Sequence, residues 1–358
     1  MTPAPTPEPS PGRVRPLRPG DLPEIVALRR EVFHHSERPA DADLQAYLRR
    51  IFVENPWREA GVWSLVYEDP SGRVGGFLGV VPRIMMLRGE PLRVAVATQL
   101  MVAVEHRGLV GLRLVRAYHD GPYDLCVSDA ANDAARRLWQ SVGGVVAPVW
   151  GTGWERVLRP LAHRVAGRTG TTLVRSLGAA AALLLRRPGW RDGPPRGTVE
   201  PLDAARMAEA APRLLQEYAL RPCYEDGSLP WLLAQLAEKR QFGALEGALV
   251  RDGDVVAGWF LYCLAPSGSA EVVQLVARPA DRERLLAHLS HHAWSHGAHT
   301  LNGRLSPDWL PALAAGRCGL RADAPCVLFG SSRLDVLRAV ERGEVFLSRL
   351  DGEWWLSF

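Results

Sequence analysis

Lysine is almost absent from this 358-residue chain: Lys239 is the single one, and arginine supplies the rest of the 43 basic residues. A lack spread over the whole sequence reads as compositional bias rather than as a phosphate-binding device. The arginines are scattered among 39 acidic residues to a net charge of +4, and they form no basic stripe that would imply nucleic acid. Cysteine is also sparse. Cys126, Cys223, Cys263, Cys318 and Cys326 are odd in number and contain no Cys-x-x-Cys pair, which argues against a disulfide framework or a zinc ribbon and for reduced thiols in the cytoplasm. Long apolar runs are missing too. The stretch 177–185, followed by Arg186 and Arg187, falls well short of the roughly 20 residues that a membrane span needs, and is expected inside a connecting helix over 171–187. Residues 1–12 have neither the basic leader nor the apolar run of a secretory signal and are expected to form a disordered tail. No Walker loop, Gly-x-Ser-x-Gly elbow or Rossmann fingerprint occurs.

What remains is an ordinary globular composition, 47% apolar and 23% charged, in a chain long enough for about two domains of roughly 150 residues. From Arg13 the pattern predicts a strand over 14–17, then a helix with Asp21 as N-cap, Pro23 in its first turn and Ile25, Leu28 and Val32 on one face. A hairpin over 62–67 and 74–81 follows, then a strand over 94–104, a helix over 111–119, a strand over 124–128 and a helix over 132–142. After a Pro, Gly and Arg-rich interval the order begins again. The segment 248–262 parallels the hairpin 64–78, and strand, helix, strand and helix are expected over 271–277, 281–296, 300–305 and 309–315. The chain therefore reads as a diverged tandem duplication. The expected division is a tail (1–12), a first domain (13–158), a linker with a short helix (159–196) and a second domain (197–358).

Two motifs in the first unit carry chemistry. The strand ending Leu100-Met101-Val102 runs into Glu105-His-Arg107-Gly108-Leu109-Val110-Gly111-Leu112, an Arg/Gly loop that opens a helix. Such a loop aims backbone N–H groups and the positive end of a helix dipole at one point, as a pyrophosphate requires, although a plain strand-to-helix turn would look similar. Further on, a buried strand leads to Asn132-x-x-Ala135-x-x-Leu-Trp139 and a Gly143-Gly144 stop, where Asn132 is a helix cap.

Together these motifs resemble the GNAT superfamily of acyl-CoA-dependent N-acyltransferases over roughly residues 14–148. The resemblance implies an α/β fold with two tandem GNAT-like domains, each a mixed, mostly antiparallel sheet flanked by helices. It implies that Arg107, Gly108, Leu109, Val110, Gly111 and Leu112 cradle the pyrophosphate of acetyl-CoA or another acyl-CoA. Backbone groups of Leu100, Met101 and Val102 would pair with the pantetheine, and Asn132, Ala135 and Trp139 would lie beside it. The implied reaction moves an acetyl or other short acyl group directly to a small-molecule or peptide amine.

Departures accompany the match. Val110 and Leu112 stand where the family has small residues, so their side chains would crowd the phosphates. Trp139 stands near the place of a tyrosine that protonates the leaving thiolate, and an indole cannot do that. A non-catalytic protein that binds a ligand or partner through the same cleft is the alternative function. Asp129 is the first candidate for a general base, against a role as turn residue or cap, and His34, with its neighbour His35, is a weaker one. The second unit has Val276-Ala-Arg-Pro-Ala-Asp-Arg282 in place of the Arg/Gly loop and resembles the degenerate copy of tandem acyltransferases, which covers the cleft or completes a homodimer. Its Tyr218, Tyr224, Glu225 and Asp226 could meet an acceptor. His288, His291, His292, His296 and His299 include pairs at metal-ligand spacing but lack an accompanying Glu or Cys motif, so no metal is expected.

Overall fold

The computed structural model describes residues 12–33, 40–57, 61–160, 162–163, 194–224, 227–322 and 325–356. The tail apart from Gly12, the connecting helix 171–187, His34, His35, Glu225 and Asp226 lie outside the described residues.

The strands expected in the first part of the chain form with shifted ends, β1 Arg13–Pro16, β2 Leu65–Glu68, β3 Val74–Leu87, β4 Glu90–Val102 and β5 Leu125–Ala131, and two unexpected ones follow, β6 Val145–Val146 and β7 Gly153–Val157. The second part adds β8 Thr198–Pro201, β9 Leu220–Pro222, β10 Ala244–Asp252, β11 Val255–Leu264, β12 Ser269–Ala277, β13 Thr300–Arg304, β14 Gly319–Arg321 and β15 Cys326–Gly330. The helices of the first part are α1 Leu22–Val32, α2 Asp41–Phe52, α3 Leu109–His119 and α4 Asp133–Ser141. β3 is buried along nearly its whole length, which is why it reads as an apolar run rather than an alternation. Its turn into β4 places Arg88 and Gly89 at φ 50° and 93°, the left-handed pair that a two-residue hairpin requires.

Two sheets result. The first runs β1-β2-β3-β4-β5-β15-β6, with β9 also on β3; the second runs β14-β7-β13-β12-β11-β10-β8. Each is antiparallel except for one parallel neighbour pair, β4 with β5 and β12 with β13, joined through crossover helices. The two orders are the same when read from β1 and from β8, so the duplication is visible in the topology.

One feature departs from the expected division. β7, placed by sequence in the first unit, lies between β13 and β14 of the second sheet, while β15 from the second unit lies between β5 and β6 of the first. Each half completes the other, and residues 13–158 and 197–358 are not separate sheets. The physical lock is aromatic. Trp139 on α4 donates its indole N–H to the carbonyl of Phe329 on β15 at 3.1 Å, and Trp154 on β7 donates to the carbonyl of Arg304 at 3.2 Å. Gly303 leaves the room for that second indole, since a Cβ there would stand 2.5 Å from it. The largest core joins α1, α2, β3 and β4 to β10, β11, β12 and residues 346–356, so apolar burial is continuous across both halves.

Candidate functional site

β4 and β5 pair only through Val94, Ala95 and Val96 with Leu125, Cys126 and Val127. Beyond that they part into a V. Tyr118 of α3 pins the closed end: its hydroxyl donates to the carbonyl of Ala95 at 2.6 Å and accepts from the N–H of Val127 at 3.2 Å. Burial pushes its pKa well above the ordinary tyrosine value, so it stays a neutral clamp. On the open limb, β4 bulges. Thr98 faces Gly79 and Met101 faces Phe77, so that two β4 residues oppose one of β3, and Gln99 takes φ 51°. Leu100 and Val102 are half-buried on this limb while Met101 is turned into the core.

Val102 leads directly to the expected anion loop. Gly108 precedes α3 at φ 111°, a conformation that favours glycine, and a Cβ there would meet nothing within 4 Å. No acidic residue lies in the first turn of α3, whose leading N–H groups have no carbonyl within their own helix. Arg107, Gly108 and Leu109 are exposed. The crowding expected from Val110 does not arise: its side chain is 5% exposed and packs towards Gly76, where a Cβ would stand 2.9 Å from it. Leu112 is half-buried, and Gly111 brings α3 close to Leu138 of α4. The head of α3 thus presents open backbone, the Arg107 side chain and no carboxylate in its first turn, a set that could hold a pyrophosphate, while Glu31 takes the N–H of Val104 at 2.9 Å on the far side of the loop.

On the other limb Asn132 caps α4, its side-chain oxygen accepting from the N–H of Ala135 at 2.9 Å. Ala135 is half-buried beside the same core as Val102. Trp139 requires a correction. At 3% exposure, against Tyr118 and His119 and bonded to Phe329, it is a core residue that holds the exchanged strand and cannot line a coenzyme arm.

Asp129 is also corrected. Its side chain is fully buried, paired with Arg304 of β13 at 2.5 Å, and its second oxygen accepts the N–H of Glu353. With both oxygens held by donors, it anchors the two halves and does not face an acceptor. Sequence reasoning missed a second buried carboxylate, Glu353, which reaches β5 from near the end of the chain. Residues 345–356 run as a strap between the sheets. Arg349 donates its N–H to the carbonyl of Val273 at 3.1 Å and its guanidinium to Glu271 at 2.8 Å, beside the opening of β12 from β13. Further on, Glu353 accepts from the Ser128 hydroxyl and, at 3.0 Å, from the N–H of Ala130. The carbonyl of Leu356 accepts from Gln99 at 3.1 Å and from Tyr47 at 2.6 Å. Burial, then the nearby charge of Asp129, pushes the Glu353 pKa up to about 7 against stabilising bonds from Ser128, Ala130 and Thr98. The available signal was a carboxylate inside the aromatic run Gly352-Glu353-Trp354-Trp355-Leu356.

The second unit builds its matching loop differently. Asp281, 5% exposed, sits at the head of the helix Arg282–Ser295 and is held by Arg278 at 2.6 Å; it makes no cap bond to the helix, but it places a negative charge at the end an anion would approach. Tyr224 donates to Asp351 of the strap at 2.5 Å and Tyr218 donates to Asp308 at 2.5 Å. Among the histidines, His288 bonds the carbonyl of Arg196, His292 bonds Tyr262 and stacks on His296. Among the described residues no group of three His, Cys, Asp or Glu could hold a metal ion, and no helix is long and apolar enough to cross a membrane.

Residues 13–115 match the family model described as an acetyltransferase (GNAT) domain. Among solved structures the chain is similar to a probable N-acyltransferase of Enterococcus faecalis V583 (TM-score 0.58, 12% identity, 89% of this chain and 71% of that one). It is similar to a GCN5-related N-acetyltransferase of Anabaena variabilis (TM-score 0.57, 14% identity, 89% and 72%). A third is Saccharomyces cerevisiae N-myristoyltransferase with bound myristoyl-CoA (TM-score 0.50, 12% identity, 92% and 80%). No curated protein matches the sequence significantly.

Proposed function

We propose that this GNAT-fold chain, two GNAT-like units in tandem, moves an acetyl or other short acyl group from acyl-CoA to an amine by direct transfer. The observation that carries the reading is the V between β4 and β5, flanked by the acid-free head of α3 at Gly108 and the Asn132 cap of α4. Arg107, Gly108 and the first-turn N–H groups of α3 would hold the pyrophosphate, and the free edge of β4 from Leu100 to Val102 would take the pantetheine as an added strand. The second unit, with Asp281 in the matching place, would shape the acceptor side instead of holding a second coenzyme. The bulge at Gln99 fixes the backbone on which the thioester would rest, so positioning supplies most of the rate. The odd number of cysteines, with no Cys-x-x-Cys pair, suits a reducing compartment such as the cytoplasm.

A specific observation favours a second reading, ligand binding without catalysis: Trp139 and Tyr118 are both buried in structural bonds, so neither supplies a proton to a leaving thiolate. Melting with and without acetyl-CoA tests the site, since a ligand at 100 times its Kd stabilises by about 2.7 kcal/mol. Absence of any shift at millimolar acetyl-CoA refutes coenzyme binding. Thiol release with a panel of amines separates an enzyme from a binder.

A further inference from the structure

We propose that the second sheet carries a binding site for a neutral, hydroxyl-rich small molecule, a sugar or similar polyol, in the cavity floored by Glu155, Asn302 and Glu271. The inference stands apart from the acyl-transfer reading, since it concerns the closed end of the second sheet's own strand opening and involves no coenzyme.

The duplication supplies its own comparison. The parallel pairs of the two sheets are built in one register: Val94, Ala95 and Val96 face Leu125, Cys126 and Val127, while Ser269, Ala270 and Glu271 face Thr300, Leu301 and Asn302. The middle residues pack with the crossover helix and stay apolar in both units. The outer ones share the other face, and there the chemistry is reversed. Val94 and Val96 correspond to Ser269 and Glu271, and Leu125 and Val127 to Thr300 and Asn302. Phe329, beside Val127 on β15, corresponds to Glu155, beside Asn302 on β7. In the first unit this face is sealed, Val96 by the main core and the others by Trp150 and by Val336 and Val340 of the helix Leu334–Glu341. In the second it lines a cavity of about 520 Å³, within the roughly 300–1,000 Å³ of small-molecule sites.

Strand order sets the floor of that cavity. β14, β7, β13 and β12 lie side by side, so Glu155 and Glu271 stand two strands apart, about 10 Å, with Asn302 between them. Each carboxylate has a guanidinium beside it, Arg321 at 3.8 Å from Glu155 and Arg349 at 2.8 Å from Glu271. These two pairs cancel, so an anion would meet two carboxylates and a cation two guanidiniums. Asn302 is set in place by its Nδ2, which donates to Ser269 Oγ at 2.9 Å and leaves its Oδ1 as an acceptor. Neighbouring donors and acceptors on a charge-balanced floor match hydroxyl groups, each of which both donates and accepts. His299, whose pKa burial lowers, adds a neutral imidazole to the lining, and Gly268 leaves room for that ring, since a Cβ there would fall 2.6 Å from it. A plain solvated sheet face accounts for polar side chains but not for their seating: Thr300 is 5% exposed, and Ser269, Glu271, Asn302 and Glu155 are half-buried.

The test uses the full chain and saturation-transfer NMR with millimolar glucose, N-acetylglucosamine, maltose and myo-inositol, with spermidine and inorganic phosphate as charged competitors. Calorimetry then gives Kd for each polyol that responds, and melting curves confirm that the variants fold. At least one polyol is expected to bind, and neither competitor to displace it. Asn302→Val installs the residue of the first unit and is expected to raise that Kd about tenfold or more. Glu155→Ala is expected to do the same, and with a quarter of its side chain exposed it keeps the proposal testable if Asn302→Val fails to fold. Absence of any polyol signal with the wild-type protein, displacement by spermidine or phosphate, or a Kd within about twofold of wild type in a folded variant overturns the assignment.

Discussion

Replacing Asp129 by alanine should unfold this protein more readily than any other single change at the junction of the halves. Asp129 is fully buried and its partner Arg304 retains only 8% of its side-chain exposure. The substitution strands the guanidinium without its counter-charge and removes the acceptor that fixes the N–H of Glu353. Breaking one side of such a pair costs about 3–5 kcal/mol. At a urea m-value of about 3 kcal/mol/M, this lowers the denaturation midpoint by roughly 1–2 M. Asp129→Asn keeps an oxygen for the backbone bond and should lose less. Replacing both members, Asp129→Leu with Arg304→Met, should recover most of the loss, because neither charge is then left buried alone. Urea unfolding of the four proteins at one pH, with m checked for constancy, decides the matter. An Asp129→Ala protein within about 1 kcal/mol of wild type would refute the anchor role.

Further outcomes follow from the same geometry. Trp139→Phe leaves the carbonyl of Phe329 without its donor and should cost about 1–3 kcal/mol, read as a lower urea midpoint. Asn132→Ala should cost about 1 kcal/mol through its lost cap, measured the same way. Gly108→Ala meets no steric neighbour but must adopt φ 111°, so it should weaken acetyl-CoA binding in calorimetry while costing about 1–3 kcal/mol of stability. Glu353, with its pKa raised from 4.5 to about 7, binds a proton in the folded state that the unfolded chain has released. Wild-type stability relative to Glu353→Gln should therefore be greatest below pH 4.5, fall between pH 4.5 and 7, and level off above; a difference flat across that window counts against the burial argument. Lys239 has the opposite sign. Burial lowers its pKa from 10.5 to about 7, so Lys239→Met should gain on wild type most below pH 7, the gap closing towards pH 10.5 in parallel melts.

The first unit was legible because each of its signals is local. Asp21 and Asn132 stand immediately before helices, the hairpin is bracketed by turn residues, and the helix expected over 111–119 begins two residues earlier, directly after Gly108. What sequence could not give is which sheet a strand joins. The periodicity of residues 153–157 and 326–330 identifies short strands at most, and the same side-chain pattern would suit an edge of either sheet. The same limit governs the site. Asp129 sits one residue past the expected strand, where a turn carboxylate and a cleft base look alike. Its burial depends on Arg304, 175 positions away, and on a backbone N–H from the strap. Trp139 shows the same limit: its partner, Phe329, lies on a strand that no local pattern links to it.

The exchange of β7 and β15 has a consequence for how the chain is made. β5 and β6 emerge early in synthesis, but the strand that must lie between them follows about 180 residues later. At roughly 5–20 residues per second, a ribosome leaves that gap open for about 10–40 s, with two unpaired strand edges facing one another across it. During this interval β7, already synthesised, has no second sheet to enter. Assembly must therefore end in one step late in translation, when both halves close together, and a ribosome stalled before residue 330 would release a chain with an open sheet and a natural tendency to pair with other copies of itself.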